Sequence, residues 1–185
     1  MITKTAVPFE ELIDRLYRVE GKAEIINGEV VEMPPTGFLP GRASSRIFRS
    51  LDDYEQQTGG GYAIPDNVGF VVNLPNRNSF SPDAAFYVGP PTGGKFIDGA
   101  PIFAAEVRSE WDYSKRAEHR IAKKIADYFD AGTIVVWDVD VLKEEVVKVY
   151  RRDDPNNPVI YRRGEIADAE PAVPGWRFPV NEMFR

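Results

Sequence analysis

The stretch PIFAAEVRSE, residues 101–110, constrains the fold more than any other. Ile102, Phe103, Ala104, Ala105 and Val107 form the short apolar run of a buried strand. A helical pattern follows from about Tyr113 to Ala131, closed by Gly132, and a near-continuous apolar strand covers 133–141. Strand, crossover helix and strand predict a βαβ unit with a parallel pair. Glu106 sits inside the first strand, where an unpaired carboxylate loses hydration worth roughly several kcal/mol. Something must pair with it.

The flanking elements complete a mixed sheet. Residues 8–19 read as an amphipathic helix with Pro8 near its start. Residues 23–33 read as a hairpin, because Asn27-Gly28 stands between Ile25, Ile26 and Val30, Val31. PPTGFLPG reads as a loop, and 41–57 as a second helix ended by Gly59, Gly60 and Gly61. Strands are predicted at 62–64, 68–72, 83–88 and 102–108. EEVVKVYRR is an alternating strand, DDPNNP at 153–158 a turn, and the tail with Trp176, Phe178 and Phe184 is expected to pack back on the rest. The expectation is one domain over 1–185, an α/β fold with a mixed β-sheet flanked by helices. Phe48, Leu51, Phe70, Val72, Phe86, Phe103, Val136 and Trp137 are assigned to its core.

Composition removes several function classes. The chain has no cysteine and a single histidine, His119, so thiolate chemistry and a multi-histidine zinc site within one chain are excluded. A Ser-His-Asp hydrolase is disfavoured, and neither GxxxxGK[ST] nor GxGxxG is present. No apolar run is long enough for a bilayer span and MITKTAVPFEEL lacks an apolar signal core, so a cytoplasmic location without membrane contact is expected. The net charge of −6 gives no global attraction for a polyanion, so a local basic patch or a metal would have to supply it.

Three residues converge on one chemistry. Strand alternation places Ile102, Ala104, Glu106 and Arg108 on one face, with Glu106 near the strand's C-terminal end, where α/β sheets form ligand crevices. Asp83, after Pro82, opens SPDAAFYV; as an antiparallel neighbour this strand would bring Asp83 beside Glu106. Paired carboxylates repel unless a hard divalent cation such as Mg²⁺ or Mn²⁺ lies between them. On the helix, Ala117, Ile121, Ile125 and Tyr128 make the apolar stripe; Lys124 falls beside it and Lys123 on the far side. An inward lysine needs a carboxylate, and Glu106 is the natural partner. The helix is basic, and its Arg120, together with Arg108 on the strand, is a candidate phosphate contact, whereas Lys115, Arg116 and Lys123 read as a solvated face. Asp138 and Asp140 lie near a strand end, Asp140 in a turn or edge role. An Asp, a Glu in the next strand and a lysine form the pattern of a metal-dependent phosphodiesterase.

SPDAAFYV, GAPIFAAEVRSEWD and KKIADYFDAGTIVVWDVD resemble the Uma2 family of restriction-endonuclease-like proteins, within the PD-(D/E)XK nuclease superfamily. AEIINGEVVEMPPTG and VPGWRFPVNEMF resemble its ends, so the likeness covers almost the whole chain. The resemblance implies a restriction-endonuclease-like mixed sheet, Mg²⁺ or Mn²⁺ as cofactor and nucleic acid, DNA before RNA, as partner. It puts the family's Asp on Asp83, its Glu on Glu106, an auxiliary metal-binding acid on Glu24 and the lysine on Lys124, four residues before Tyr128. Arg108 stands where the strict motif has lysine, and Pro40 about where a histidine often follows the family's loop.

Two rivals remain at this level. One is a nucleic-acid-binding or assembly protein that keeps the fold with little or no cleavage. The other is a structural Glu106–Lys124 ion pair with no metal. A homodimer is a further expectation, since small nucleases often cut two strands as dimers, although the aromatic tail reads first as core cover.

Overall fold

The computed structural model describes residues 7–185; residues 1–6, included in the single-domain expectation, lie outside them. Helix α1 (Phe9–Leu16) leads into the hairpin β1 (Ala23–Ile26) and β2 (Glu29–Glu32). Asn27 and Gly28 both have positive φ, 52° and 74°, as a two-residue turn with the twist of its strands requires. Helix α2 (Phe38–Thr58) follows, then β3 (Tyr62–Pro65), β4 (Phe70–Val71), β5 (Ser79–Phe80), β6 (Ala84–Tyr87), β7 (Ile97–Asp98) and β8 (Phe103–Val107). Helix α3 (Lys115–Ala131) crosses to β9 (Val135–Asp140), and the chain finishes with β10 (Val146–Arg151), β11 (Asp154–Arg162), β12 (Ile166–Asp168), β13 (Arg177–Pro179) and a 3-10 turn, Val180–Phe184.

Six strands form one mixed sheet in the order β11-β10-β9-β8-β6-β3. β8 and β9 are parallel, with Glu106 opposite Asp138, and α3 is their crossover, as the sequence predicts. β6 runs antiparallel to β8, with Ala84 opposite Ala105. α2 covers one face: Ala43, Ile47 and Leu51 pack on Ala84, Phe86, Phe103 and Ala105. α3 covers the other, where Ile125, Tyr128 and Phe129 meet Ala85, Ala104, Val136, Phe70 and Phe80. Ile102 departs from the expected alternation and packs with the α2-side cluster, because it precedes the first residue of β8. Among the described residues no helix is long and apolar enough to cross a membrane.

Two local expectations are corrected. α2 starts at Phe38, inside the segment read as a loop, and Pro40 is its third residue. The first helical turn has no intrahelical use for its N–H groups, so proline is tolerated there. The turn expected over 153–158 is confined to Arg152 and Asp153; β11 begins at Asp154 and carries Pro155 and Pro158. β11 is an edge strand, where missing N–H donors cost little. The two-residue strands β5 and β7, which flank β4 in a small sheet, were too short to show a periodicity.

α3 is capped by Ser114, whose hydroxyl accepts from the Ala117 N–H at 3.1 Å. Ser114→Ala is expected to lower the unfolding free energy by about 1 kcal/mol, readable by urea denaturation.

The tail closes the α2-side core as expected. Trp176 stacks on Trp137 with ring centroids 4.9 Å apart. Asp168 anchors it: its carboxylate accepts from Arg151 at 2.8 Å, the Tyr161 hydroxyl at 2.7 Å and the Glu170 N–H at 2.9 Å. Burial would raise the Asp168 carboxyl, but these donors outweigh it and hold the group below its ordinary value. A carboxyl depressed in the folded state stabilises the fold above the ordinary aspartate pKa, and that contribution disappears as pH falls through the depressed value. Denaturation of the native protein and Asp168→Asn between neutral and strongly acid pH is expected to show a gap in stability that closes on acidification.

Candidate active site

The site forms where β1, β6, β8 and α3 meet. The Asp83 N–H donates to the Ala105 carbonyl at 3.1 Å, which extends the β6–β8 ladder by one residue and sets Asp83 beside Glu106. The Asp83 carboxylate then accepts from the Val107 N–H at 2.6 Å, fixing it against the end of β8. Glu106 is half-buried rather than fully buried. Its two oxygens accept from the Tyr128 hydroxyl at 2.6 Å and from Lys124 Nζ at 2.7 Å. Lys124 thus turns inward and Lys123 outward, as the helix-face argument requires.

Lys124 is shared. Its ammonium lies 2.7 Å from Glu106 and 2.8 Å from Glu24. Glu24 is fully buried, and its remaining contacts are the Ser81 N–H at 3.0 Å and the Arg77 guanidinium. Arg77 is itself buried, donates to Asp127 at 2.9 Å and lies over the Phe80 ring at 5.0 Å. Phe80 in turn stacks on Tyr128 with centroids 3.9 Å apart. A buried floor of Glu24, Arg77 and Asp127 therefore supports a more open rim of Asp83, Glu106, Lys124 and Lys22.

The β1–β2 hairpin reaches this floor through backbone contacts. The Asn27 N–H donates to the Asn76 carbonyl, the Asn78 N–H to the Ile25 carbonyl, and the Ile25 N–H to Ser79 Oγ. These bonds bring Glu24 to Arg77 although the two are far apart in the chain.

Electrostatics follow from this geometry. Burial pushes the Glu106 carboxyl above its ordinary range; Asp83 and Glu24 add to the shift, and Lys124 and Lys22 only partly oppose it. Burial would also raise Glu24, but Lys124, Arg77 and the Ser81 N–H hold it low. Burial would depress Lys124, yet Glu106 and Glu24 keep it firmly charged. Tyr128 is pushed well above the ordinary phenol range by burial and by Glu106, so its hydroxyl stays a proton donor to Glu106.

Sequence reasoning missed Lys22. Its ammonium lies 2.5 Å from Asp83 and 2.7 Å from Asp66. Burial opposes its charge, but Asp83, Glu106 and Asp66 outweigh that and hold it above the ordinary lysine range. A signal was available, since Lys22 and Glu24 are two residues apart, the period that puts strand residues on one side. Arg77, in the NLPNRNS connection, left no periodic trace.

The two expected phosphate contacts already have carboxylate partners. Arg108 is 5 % exposed, and its guanidinium donates to Asp138 at 2.7 Å through Nε and Nη2 and also engages Glu118. Both sides of its fork are occupied by carboxylates, so it ties β8 to β9 and α3 instead of facing a ligand. Arg120 is exposed and pairs with Asp112 at 2.6 Å. Asp140 takes the turn role, accepting from the Leu142 and Lys143 N–H groups and the Tyr113 hydroxyl.

Among the described residues no three acidic or histidine side chains converge as a ready-made metal cage. Asp83 and Glu106 still suit Mg²⁺ or Mn²⁺, which bind hard oxygens, commonly through one or two carboxylates with water and substrate phosphate completing the shell. Among the described residues acids also exceed bases here: Glu24, Asp66, Asp83, Glu106 and Asp127 face Lys22, Arg77 and Lys124, with the exposed Lys123 at 3.6 Å from Asp127. Glu24 fits less well as a ligand, because it is fully buried and both its oxygens are engaged.

A mixed six-stranded sheet with helices on both faces, and acids gathered where β6 begins and β8 ends, defines a restriction-endonuclease-like α/β protein. The Uma2 family, described as "Putative restriction endonuclease", matches residues 9–181, and the chain belongs to that family. Among solved structures, "a putative nuclease belonging to DUF820 from Anabaena variabilis ATCC 29413" aligns with a TM-score of 0.72 at 16 % identity, over 94 % of this chain and 97 % of that one. At that identity the likeness is one of fold. No curated protein matches the chain.

Proposed function

We propose that this chain is a divalent-metal-dependent phosphodiesterase acting on nucleic acid, with DNA the first substrate to test. The observation that carries the reading is Asp83 and Glu106 side by side at one end of adjacent strands, with Lys124 against Glu106. Asp83 and Glu106 are the groups that would hold the metal. Bound there, Mg²⁺ or Mn²⁺ would supply an acidified water and neutralise phosphate charge. Lys124 Nζ is placed to donate a hydrogen bond to the attacking oxygen or to a phosphoryl oxygen as charge builds on it. Glu24, locked by Arg77 and the Ser81 N–H, acts as a positioning residue for Lys124. The Val107 N–H and the Tyr128 hydroxyl keep the two carboxylates from rotating away.

One observation favours a second reading, a binding or assembly protein with the same fold. Every oxygen of Asp83 and Glu106 already has a donor in the protein. The test is incubation of the purified protein with plasmid DNA and with RNA in Mg²⁺ and in Mn²⁺, with and without EDTA. Cleavage that EDTA abolishes, and that Asp83→Asn lacks, is the expected result. Nucleic-acid binding with no cleavage would favour the second reading, and cleavage insensitive to EDTA would overturn the first.

A further inference from the structure

A basic face on α2 has no part in the network described above. Arg42, Arg46 and Arg49 recur at the i, i+4, i+7 spacing that aligns side chains along one side of a helix. With Thr36, Phe38 and Ser45 they line a shallow cavity of about 550 Å³. Charged side chains elsewhere in this acidic protein commonly face an opposite charge; among the described residues these three arginines face no Asp or Glu side chain. Arg42 and Arg46 converge on one acceptor, the main-chain oxygen of Arg185, reached by Arg42 Nε at 3.0 Å and Arg46 Nη2 at 3.3 Å. The two guanidiniums are therefore already arranged around a single oxygen. The Phe38 ring, 78 % exposed, lies 5.9 Å from the Arg42 guanidinium and supports it from the solvent side.

The position of this face in the fold gives it meaning. The last turns of α2 lie over the start of β8: Tyr54 meets Phe86 edge-on at 5.6 Å, and Phe86 pairs with Phe103. From Tyr54 back to Phe38 the helix spans about 24 Å. From Phe103 to Glu106 the strand advances only about 10 Å. Ala43 and Ile47 keep α2 against the sheet on the way. The first turns of α2 thus reach the end of the sheet that carries Asp83 and Glu106, on the side away from α3.

We propose that Arg42, Arg46 and Arg49, with Phe38 supporting Arg42, form a surface on the outer side of α2 that holds the sugar-phosphate backbone of nucleic acid bound at the Asp83–Glu106 end of the sheet. The proposal rests on the phosphodiesterase reading for its ligand class and adds where that ligand lies. From Arg42 to Arg49 the row is about 10 Å long, a length that suits consecutive phosphates of one strand. The contact is made to the backbone and carries no base sequence.

The test is fluorescence anisotropy with a labelled 20-base-pair DNA duplex of mixed sequence and with the matching single strand, in Ca²⁺ buffer, across a salt series. Arg49→Gln is the first variant, since Arg49 is exposed and supports nothing in the fold; the triple change Arg42→Gln, Arg46→Gln, Arg49→Gln is the second. Arg162→Gln, an exposed arginine on the far edge strand, is the control for bulk charge. Expected are about a tenfold loss of affinity for Arg49→Gln, a loss above about a hundredfold for the triple variant, and a salt slope shallower by about one per arginine removed. Arg162→Gln should match the native protein. Native affinity in the triple variant, an equal loss in Arg162→Gln, or no binding of either probe by the native protein would each overturn the proposal. Failure of the phosphodiesterase reading looks different: Asp83→Asn and the native protein would bind alike, and neither would cleave in Mg²⁺ or Mn²⁺.

Discussion

Arg77→Met is expected to lower the unfolding free energy by about 3–5 kcal/mol, measured by urea denaturation. Arg77 is the buried cation that faces both Glu24 and Asp127, and each of those carboxylates is almost without solvent. Removing the guanidinium leaves Lys124 and the Ser81 N–H to face Glu24 and, among the described residues, Asn76 and the exposed Lys123 beside Asp127. Methionine fills similar volume against Phe80, so the loss is electrostatic more than steric. The double variant Arg77→Met, Glu24→Gln is expected to recover part of the stability, because it removes one of the stranded charges along with its partner. Losses that simply add would show that the two residues do not act on one another.

Glu106→Gln should separate function from folding. Cleavage is expected to fall by more than about 10³-fold, which corresponds to ~4 kcal/mol of transition-state stabilisation. Stability is expected to hold or rise. A carboxyl raised above its ordinary pKa is one whose charged form the fold disfavours, so at neutral pH the neutral amide relieves a cost. Lys22→Gln provides the contrast. Lys22 sits on an oxygen of Asp83, where it competes with any other cation. Calorimetric titration with Mg²⁺ should show several-fold tighter binding to Lys22→Gln than to the native protein, and none to Glu106→Gln. Equal affinity in all three proteins would remove Asp83 and Glu106 from the metal site.

The parts of this architecture with a period were legible in the sequence. The β8–α3–β9 crossover, the Asn27-Gly28 hairpin and the opposite fates of Lys123 and Lys124 all follow from strand and helix spacing. What could not be read was set by contacts between segments with no pattern of their own. Arg77 lies in a connection, and its role exists only because the β1–β2 hairpin docks there. Arg108 illustrates the converse. It lies one residue past the end of β8, and being next to Val107 did not make it part of the Glu106 site, because Asp138 on the parallel neighbour and Glu118 on α3 claim it first. The start of β11 was hidden by Pro155 and Pro158, which signal a turn anywhere except at a sheet edge.

The stacked Trp137–Trp176 pair also makes the protein its own optical probe. The chain has three tryptophans, and these two are buried face to face where the tail meets the sheet. The third, Trp111, is 78 % exposed in the connection from β8 to α3, five residues beyond Glu106 in the chain. Near-ultraviolet dichroism thus follows the docking of the tail through the coupled indoles, while quencher-accessible emission follows the segment beside the carboxylates. The closing of the core and the state of the site can be read in one unlabelled sample, as two separate signals.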